Sequence, residues 1–325
     1  MHAAGEQHLR SEKMKLLIAY DGSSYANAAL DDLPRAGLPR VAEALIMSVA
    51  DVFLPPAASQ TPELPAQVSA AVQRARTRAT DAMAEAHALA QQGRAHLLMS
   101  LPDWDVRAEA CADSPAWAVI KKADTWQPDV IVVGSHGRSA VSRFLLGSVS
   151  HKILTAAHGS VRVGRSHRQT DAAPVHLLIG VDGSPDAAAA VHAVATREWP
   201  AGSAARLVTV LDARMSTAMA FMEPSADMGL EGHDDDATVW MSRTVEVMAA
   251  PLRTRGLTVS SVITEGDPKH VLLDEAEQWG ADCIFVGARG LSRAERFLLG
   301  SVSSAVAARA HCSVEVVHPA SATSI

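Results

Sequence analysis

The sequence lacks several features that mark specialised classes of protein. It contains three cysteines, Cys111, Cys283 and Cys312, whose spacing matches no metal-binding pattern. Cys283 and Cys312 lie in apolar runs, which is typical of buried thiols in a reducing compartment. No stretch approaches the roughly 20 apolar residues that a membrane span requires, and residues 1–13 contain no apolar core of a secretion signal. We therefore expect a cytoplasmic protein that does not bind membranes, with a mobile tail at 1–13.

An excess of basic residues is also missing. The net charge is -7, and acidic and basic residues are interspersed. A surface that binds nucleic acid needs a net basic face to displace counterions. The sequence therefore predicts no nucleic-acid partner, although backbone groups are still able to hold a small anion.

Common nucleotide-binding and catalytic motifs are absent as well. The first predicted strand is not followed by G-x-G-x-x-G, and neither the P-loop G-x-x-x-x-G-K-[ST] nor the nucleophile elbow G-x-S-x-G occurs. No nucleophile–base set and no pair of carboxylates emerges. The sequence favours binding over catalysis, and an enzyme that uses the same pocket is the alternative.

The chain contains two copies of one domain-sized sequence. KLLIAYDGS at 15–23 matches HLLIGVDGS at 176–184, QPDVIVVGSHG at 127–137 matches GADCIFVGARG at 280–290, and RFLLGSVS is identical at 143–150 and 296–303. A length of 325 residues suits two domains. We predict a first domain at 14–165, a linker at 166–174, a second domain at 175–318 and a C-terminal tail at 319–325.

Within each copy, short apolar runs alternate with Ala-rich segments of helical spacing. In the first copy the predicted strands are 16–19, 45–49, 96–101, 130–133 and 161–163. Continuous apolar strands that alternate with helices indicate a parallel sheet covered on both faces. The predicted fold class is therefore α/β: two tandem Rossmann-like open sandwiches, each a five-stranded parallel sheet with helices on both faces.

A glycine motif of spacing G-2x-G-9x-G-[ST] joins a buried strand to a helical segment in each copy. Its members are Gly134, Gly137, Gly147 and Ser148 in the first copy, and Gly287, Gly290, Gly300 and Ser301 in the second. Glycine lets another group approach the backbone closely. The helix that follows begins Ser-Val-Ser, which adds Ser150 and Ser303, and the N–H groups of a helix start favour an anion. The motif therefore predicts a phosphate site at the carboxyl edge of each sheet.

Two further pairs of residues belong to this predicted edge. Asp21 and Asp182 follow the first strand of each copy, where a carboxylate accepts from a ribose hydroxyl or helps to hold Mg²⁺. The alternative for both is an Asx turn or a helix cap. His136 stands where the second copy has Arg289, and a general base would not be exchanged for a permanent cation. We interpret this position as a phosphate or solvent contact.

These motifs resemble the universal stress protein family in its tandem form, over nearly all of 14–317. The resemblance implies ATP as the ligand, alone or with Mg²⁺. In the ATP-binding branch the glycines and the Ser-Val-Ser hold phosphate and ribose, the aspartate lies near ribose and metal, and a valine late in the second strand contacts adenine. The positions that the resemblance implies are Asp21, Val49, Gly134, Gly137, Gly147, Ser148, Val149 and Ser150, with Asp182, Val210, Gly287, Gly290, Gly300, Ser301, Val302 and Ser303 in the second half. The implied function is a stress-response regulator in which nucleotide shifts conformation or the affinity for an unknown protein partner.

The last strand departs from the family pattern. Family members commonly begin it Cys-Pro-Val, whereas Ser160 and Ser313 stand here in place of the proline. Because the family pairs its last strands across a two-fold axis, we predict an internal pseudo-dimer in which Arg162 lies near Glu315. Two unrelated exposed edge strands are the alternative, and the resemblance also leaves a homodimer open.

The connection at 212–238 is long for a compact domain. Its methionines suit an adaptable lid or partner surface, and an irregular loop folded over a helix is the alternative. The acidic cluster at 233–236 is interpreted as a solvated charge cluster, and the sequence predicts no metal ligands there. If both pockets were vestigial, this segment would carry the function of a scaffold.

Overall fold

The computed structural model describes residues 13–52, 66–137, 146–166, 172–211, 235–290 and 299–319. The predicted tail residues 1–12 and 320–325, the linker residues 167–171 and the loop residues 212–234 lie outside this part of the chain. In the first half the elements are β1 (Lys15–Ala19), α1 (Ser24–Asp32), β2 (Glu43–Ala50), α2 (Ala66–Ser100), β3 (Asp105–Ala112), α3 (Pro115–Trp126), β4 (Val130–Gly134), α4 (Ser148–Ala156) and β5 (Ser160–Gly164). In the second half they are β6 (His176–Gly180), α5 (Pro185–Ala195), β7 (Ala204–Leu211), α6 (Asp235–Thr254), β8 (Thr258–Glu265), α7 (Pro268–Trp279), β9 (Cys283–Gly287), α8 (Ser301–Arg309) and β10 (Ser313–Val317).

The strands form one ten-stranded sheet in the order β3-β2-β1-β4-β5-β10-β9-β6-β7-β8. All pairs within a half are parallel, and β5 pairs with β10 in the antiparallel sense. Apolar clusters fill the layers between this sheet and the helices on both of its faces. The predicted fold class is confirmed, and the two five-stranded sheets are continuous.

One predicted strand is wrong. Residues 96–101 were expected as the third strand, but α2 continues to Ser100 and β3 begins only at Asp105. Gly93 lies inside the helix, and its missing side chain lets α2 pack closely against the core: a Cβ there would lie 3.0 Å from atoms of Ile46 and Tyr20. Leu97 one turn later is buried in the same core, so its apolar run belongs to a helix face.

The two halves meet at a buried cluster of charges in the centre of the sheet. Arg162 in β5 lies opposite Glu315 in β10, and its Nη1 donates to Glu315 Oε2 at 3.1 Å. Its Nε donates to Asp32 Oδ2 at 2.6 Å. Arg197 Nη1 also donates to Glu315 Oε2, at 2.8 Å. The predicted antiparallel pairing and the Arg162–Glu315 contact are confirmed, and two further charged side chains join them.

Burial and the neighbouring guanidinium groups shift the pKa of Glu315 in opposite directions. Burial by itself raises the pKa of this carboxyl, but the guanidinium groups of Arg197 and Arg162 outweigh it and hold the pKa below the ordinary value. Glu315 is therefore ionised between two cations. Pairing a second copy of β5 with β5 would place Arg162 against Arg162, so the opposite charges at equivalent positions favour pairing between unlike halves.

The serines that replace proline also tie the halves together. The backbone N–H of Arg165 donates to Ser313 Oγ at 2.9 Å, and that of His318 donates to Ser160 Oγ at 3.2 Å. These two bonds are equivalent across the pseudo-two-fold axis. A proline at either position would lack the hydroxyl acceptor, so the departure from the family pattern has a structural role at this seam.

The cysteines are free thiols. Cys283 and Cys312 are buried as predicted, and burial raises the pKa of both, that of Cys312 to about 12. Cys111 is half-buried. Over the described residues, no helix has the length and apolar content needed to cross a membrane.

Candidate functional site

The predicted site residues of each half come together at the carboxyl edge of the sheet. In the first half β1 lies between β2 and β4, so Asp21, Val49 and Gly134 all stand at the ends of neighbouring strands. The second half repeats this order with β6 between β7 and β9. A crevice at the carboxyl ends of parallel strands is where open α/β sheets bind ligands.

The first glycine of each motif brings a strand end against a helix start. A Cβ at Gly134 would lie 2.8 Å from the carbonyl carbon of Tyr25 in α1. A Cβ at Gly287 would lie 2.5 Å from the carbonyl carbon of Asp186 in α5. Both distances are shorter than real Cβ contacts, so these two glycines are required for packing of the fold itself.

The second glycine of each motif faces the aspartate that follows the first strand. A Cβ at Gly137 would lie 3.0 Å from Asp21 Oδ2, and a Cβ at Gly290 would lie 2.7 Å from Asp182 Oδ2. The other oxygen of each carboxylate accepts from a backbone N–H two residues later, Ser23 at 3.0 Å and Ser184 at 2.9 Å. These bonds orient each carboxylate toward its glycine turn.

Neither aspartate is the helix cap that the sequence offered as an alternative. Ser23 is the N-cap of α1, and its Oγ accepts from the N–H of Ala26 at 3.1 Å. Ser184 caps α5 in the same way, with Ala187 as donor at 3.1 Å. Each aspartate instead forms the Asx turn that the sequence also offered as an alternative, just before the cap.

The third glycine of each motif caps the next helix. Gly147 and Gly300 are the N-caps of α4 and α8, and their N–H groups donate at 2.8 Å to the carbonyls of Ser135 and Ala288. A glycine cap offers no side-chain oxygen to the N–H groups of the first turn, which therefore keep their affinity for an anion. The helix start is thus fixed beside the glycine turn in both halves.

The three residues after each cap glycine differ in exposure. Ser148, Val149 and Ser301 are exposed and Val302 is half-buried, whereas Ser150 and Ser303 are buried. Ser150 Oγ donates to the Gly134 carbonyl at 2.7 Å, and Ser303 Oγ donates to the Gly287 carbonyl at 2.6 Å. These two hydroxyls join the helix start to the strand end, so only their oxygen lone pairs remain for a ligand.

The valines late in the second strands lie farther along the same edge. The N–H of Tyr20 donates to Met47 and that of Val181 donates to Val208, both at 2.9 Å. Val49 and Val210 come two residues after these acceptors, beyond the end of β1 or β6. They therefore border the crevice on the side opposite the glycine turn.

Comparison with known proteins shows which family the chain belongs to. The sequence profile described as the universal stress protein family matches residues 13–165 and again 175–318. The chain belongs to the universal stress protein family. The two matches account for the internal repeat, because each covers one half.

Relatives in the family share the sequence at moderate identity. A universal stress protein of Mycolicibacterium smegmatis is 29% identical over 215 residues, which is 66% of this chain and 69% of the relative. One of Mycobacterium tuberculosis is 28% identical over 215 residues, 62% of this chain and 65% of the relative. The aligned region thus spans about two thirds of each relative.

Solved structures show the same fold over nearly the whole chain. A universal stress protein from Archaeoglobus fulgidus covers 95% of this chain and 98% of its own, with 17% identity and a TM-score of 0.59. A Pseudomonas aeruginosa protein described as a putative universal stress protein covers 94% of both chains, with 15% identity and a TM-score of 0.54. The fold of the chain is therefore shared with other solved structures.

The two candidate sites of this family member differ at one pair of contacting residues. In the first half the ring of His136 lies 4.8 Å from that of Tyr25, centroid to centroid. In the second half Arg289 replaces His136, and its Nε donates to Asp186 Oδ2 at 3.0 Å. Counting from the capping serines, Asp186 stands where the first half has Tyr25. An aromatic pair in one half is thus exchanged for an ion pair in the other.

Sequence reasoning found His136 and Arg289 but missed their partners in the helices. The signal was available, because Tyr25 and Asp186 both stand two residues after a capping serine. His136 Nε2 is buried and has no hydrogen-bond partner among the residues that the structure describes. The phosphate or solvent contact that the sequence suggests at this position stays a prediction.

The described residues contain no group of three or more His, Cys, Asp or Glu side chains able to hold a metal by themselves. Mg²⁺ is usually bound by one or two carboxylates together with the phosphates of a nucleotide. Asp21 and Asp182 fit that limited role. The predicted absence of metal ligands at 233–236 concerns a segment that begins outside the described residues.

Proposed function

We propose that each half of the chain binds one adenine nucleotide, ATP alone or with Mg²⁺, in the crevice between its glycine turn and its second strand. The single observation that carries this proposal is a cradle that occurs in both halves, at Gly137 and at Gly290. It is formed by the glycine turn, the aspartate after the first strand and the start of the next helix. In the two halves an oriented carboxylate oxygen lies 3.0 and 2.7 Å from where a Cβ would stand, and a helix start with no side-chain cap bond lies beside it. Family membership supports the adenine, which the glycine spacing alone does not specify.

The proposed roles follow from where each group lies. The N–H groups of the first turns of α4 and α8 bind the phosphates, together with the exposed hydroxyls of Ser148 and Ser301. Asp21 and Asp182 accept from the ribose or hold Mg²⁺. The backbone of Val49 and Val210 contacts the adenine. Gly134, Gly147, Ser150 and their equivalents Gly287, Gly300 and Ser303 shape the cradle, and Val149 and Val302 stand in the helix start that carries the phosphates.

In this proposal the bound nucleotide acts as a regulatory ligand in the cytoplasm. It shifts the conformation of the chain, or its affinity for a protein partner, only to the extent that it binds one state more tightly than the other. A slow ATPase or nucleotidyl-transfer enzyme is the second candidate. A single-turnover assay separates the two, because release of both phosphate and pyrophosphate at the uncatalysed rates would exclude either enzyme activity.

Calorimetric titration of the purified chain tests the ligand. ATP is expected to bind saturably, and GTP at least about tenfold more weakly, because backbone contacts to the base discriminate its exocyclic groups. Equal affinity for GTP would contradict the adenine assignment while leaving the phosphate assignment intact. No saturable binding of either nucleotide would contradict both.

The exchange of the pair Tyr25–His136 for Asp186–Arg289 gives a prediction for the second site. Asp186→Asn removes the carboxylate charge beside Arg289, so the field of that guanidinium acts more strongly on a bound phosphate. We expect ATP binding in the second half to tighten by a few fold, and by less at high salt. Titration at two salt concentrations measures this change.

The matched control is Tyr25→Phe in the first half, which changes no charge and is expected to leave ATP affinity unaltered. Weaker binding in the Asp186→Asn variant would show that the carboxylate, rather than the guanidinium, determines the affinity of this site.

A further inference from the structure

The seam between the halves contains two equivalent clefts, related by the pseudo-two-fold axis. Each lies between the strand-start edge of one half and the first helix of the other. Asp129 and Asp282 mark the two edges, since they occupy equivalent positions before β4 and β9. Asp129 Oδ2 accepts from the N–H of Lys15 at 2.7 Å, and Asp282 Oδ2 accepts from that of His176 at 2.8 Å.

The cleft at Asp282 is filled by an arginine of the first half. Arg35, which follows α1, lies 3.3 Å from the Asp282 carboxylate through its Nη2. Its Nη1 donates to the carbonyl of Ala173 at 3.0 Å and its Nη2 to that of Pro174 at 3.2 Å. The Arg35 side chain is 2% exposed, so the cleft encloses the guanidinium almost completely.

A second arginine fills the inner part of the same cleft. Arg165 follows β5, and it donates to the carbonyls of Cys312 at 3.0 Å and Ala307 at 2.6 Å. Carbonyl oxygens and carboxylates therefore line this cleft, and guanidinium groups occupy it. The environment is one that the planar five-donor fork of arginine fits.

The twin cleft at Asp129 contains smaller side chains at the equivalent positions. Counting from the capping serines Ser23 and Ser184, Thr196 stands where the first half has Arg35. Counting along the paired last strands, His318 stands where the first half has Arg165. A cavity of about 800 Å³ remains in this cleft, lined among others by Asp129, Thr196 and His318. That volume lies in the range of small-molecule sites.

The charges around the cavity favour a cation. The acidic residues Asp124, Asp129 and Glu198 are among those that line it. Arg197 also lines it, but this guanidinium is bound to Glu315. Burial lowers the pKa of His318 below the ordinary value, so this imidazole adds no charge at neutral pH. His158 contacts Asp124 at 3.2 Å, and His192 stands on α5 at the rim.

From these observations we propose that the open cleft binds a small organic cation with a guanidinium group, anchored by Asp129. The ligand takes the place that Arg35 occupies in the twin cleft, where the equivalent carboxylate already holds a guanidinium. The described lining residues include none of the glycine-motif residues, so the proposal is independent of nucleotide binding. A molecule at this position contacts both halves across the seam.

Agmatine, which carries a guanidinium and a primary ammonium on a short alkyl chain, is the probe that tests this site. The comparison is its urea analogue, in which a neutral urea replaces the guanidinium and the ammonium is kept. Calorimetry of the intact chain is expected to give one agmatine per chain and no binding of the urea analogue. Asp129→Asn should weaken agmatine binding by about tenfold or more, because it removes the charged acceptor of the guanidinium. Asp274→Asn, a surface change on α7, is the matched control and should leave binding unaltered.

Thr196→Arg tests the comparison of the clefts directly. It installs the residue of the filled cleft, so it should abolish agmatine binding and leave the thermal midpoint equal to or higher than that of the wild type. A thermal midpoint at or above that of the wild type shows that the variant is folded, so misfolding does not explain the loss of agmatine binding. Absence of saturable agmatine binding up to about 10 mM, or binding that survives both Asp129→Asn and Thr196→Arg, would overturn the proposal.

Discussion

Glu315→Ala is expected to lower the free energy of unfolding by about 3–5 kcal/mol, the usual effect of removing one partner from a buried ion cluster. The variant leaves the guanidinium groups of Arg162 and Arg197 without the carboxylate that both contact. Arg162 keeps Asp32, whereas Arg197 keeps no carboxylate among the residues that the structure describes, but the carbonyl of Ala36 at 3.2 Å and the ring of Phe285. Urea denaturation followed by circular dichroism measures the change.

Glu277→Ala is the matched control, because this glutamate lies on the exposed face of α7. It should leave the denaturation midpoint unchanged. An equally small effect of Glu315→Ala would show that the buried cluster does not hold the halves together. Exchanging the charges of Arg162 and Glu315 is not expected to restore stability, since the new glutamate would face Asp32 and the new arginine would face Arg197.

Gly290→Val is expected to eliminate ATP binding in the second half and leave the first half intact. The new Cβ would lie 2.7 Å from Asp182 Oδ2, so the carboxylate has to move out of the crevice and the valine enters the proposed phosphate path. Because the atom that must move is the end of a side chain, the fold should tolerate the change. Titration should show one of the two ATP sites lost, with a small shift of the thermal midpoint.

Gly137→Val gives the reciprocal result in the first half, where the corresponding distance is 3.0 Å. The double variant should bind no ATP and remain folded. If both single variants bind two molecules of ATP with wild-type affinity, the nucleotide does not pass between the glycine turn and the aspartate. Gly287 is unsuitable for this test, because its Cβ would collide with the backbone of α5.

Much of the fold follows from the sequence because its signals are local or repeated. Buried apolar runs predict the strands, and the doubled motif predicts two equivalent halves. The family resemblance predicts that the last strands pair, and the opposite charges of Arg162 and Glu315 predict the contact between them. Gly93 shows the limit of this reasoning. A glycine in a helical pattern suggests a helix end, but α2 continues past it, and the close approach of Ile46 and Tyr20 explains why a glycine stands there.

The candidate sites show the same division between local and tertiary information. The glycine spacing predicts the cradle, and the structure adds that Ser150 and Ser303 donate to strand-end carbonyls. The different contacts of His136 and Arg289 depend on residues more than a hundred positions away in the sequence. Nor does local pattern predict that one seam cleft is filled and its twin open. That difference rests on side chains of both halves meeting across β5 and β10.

Native mass spectrometry of the intact chain with excess ATP tests the central claim most directly. The account predicts two ATP molecules per chain for the wild type and one for Gly290→Val or Gly137→Val. A wild-type chain that carries no ATP would contradict the claim that each half holds an adenine nucleotide at its glycine turn.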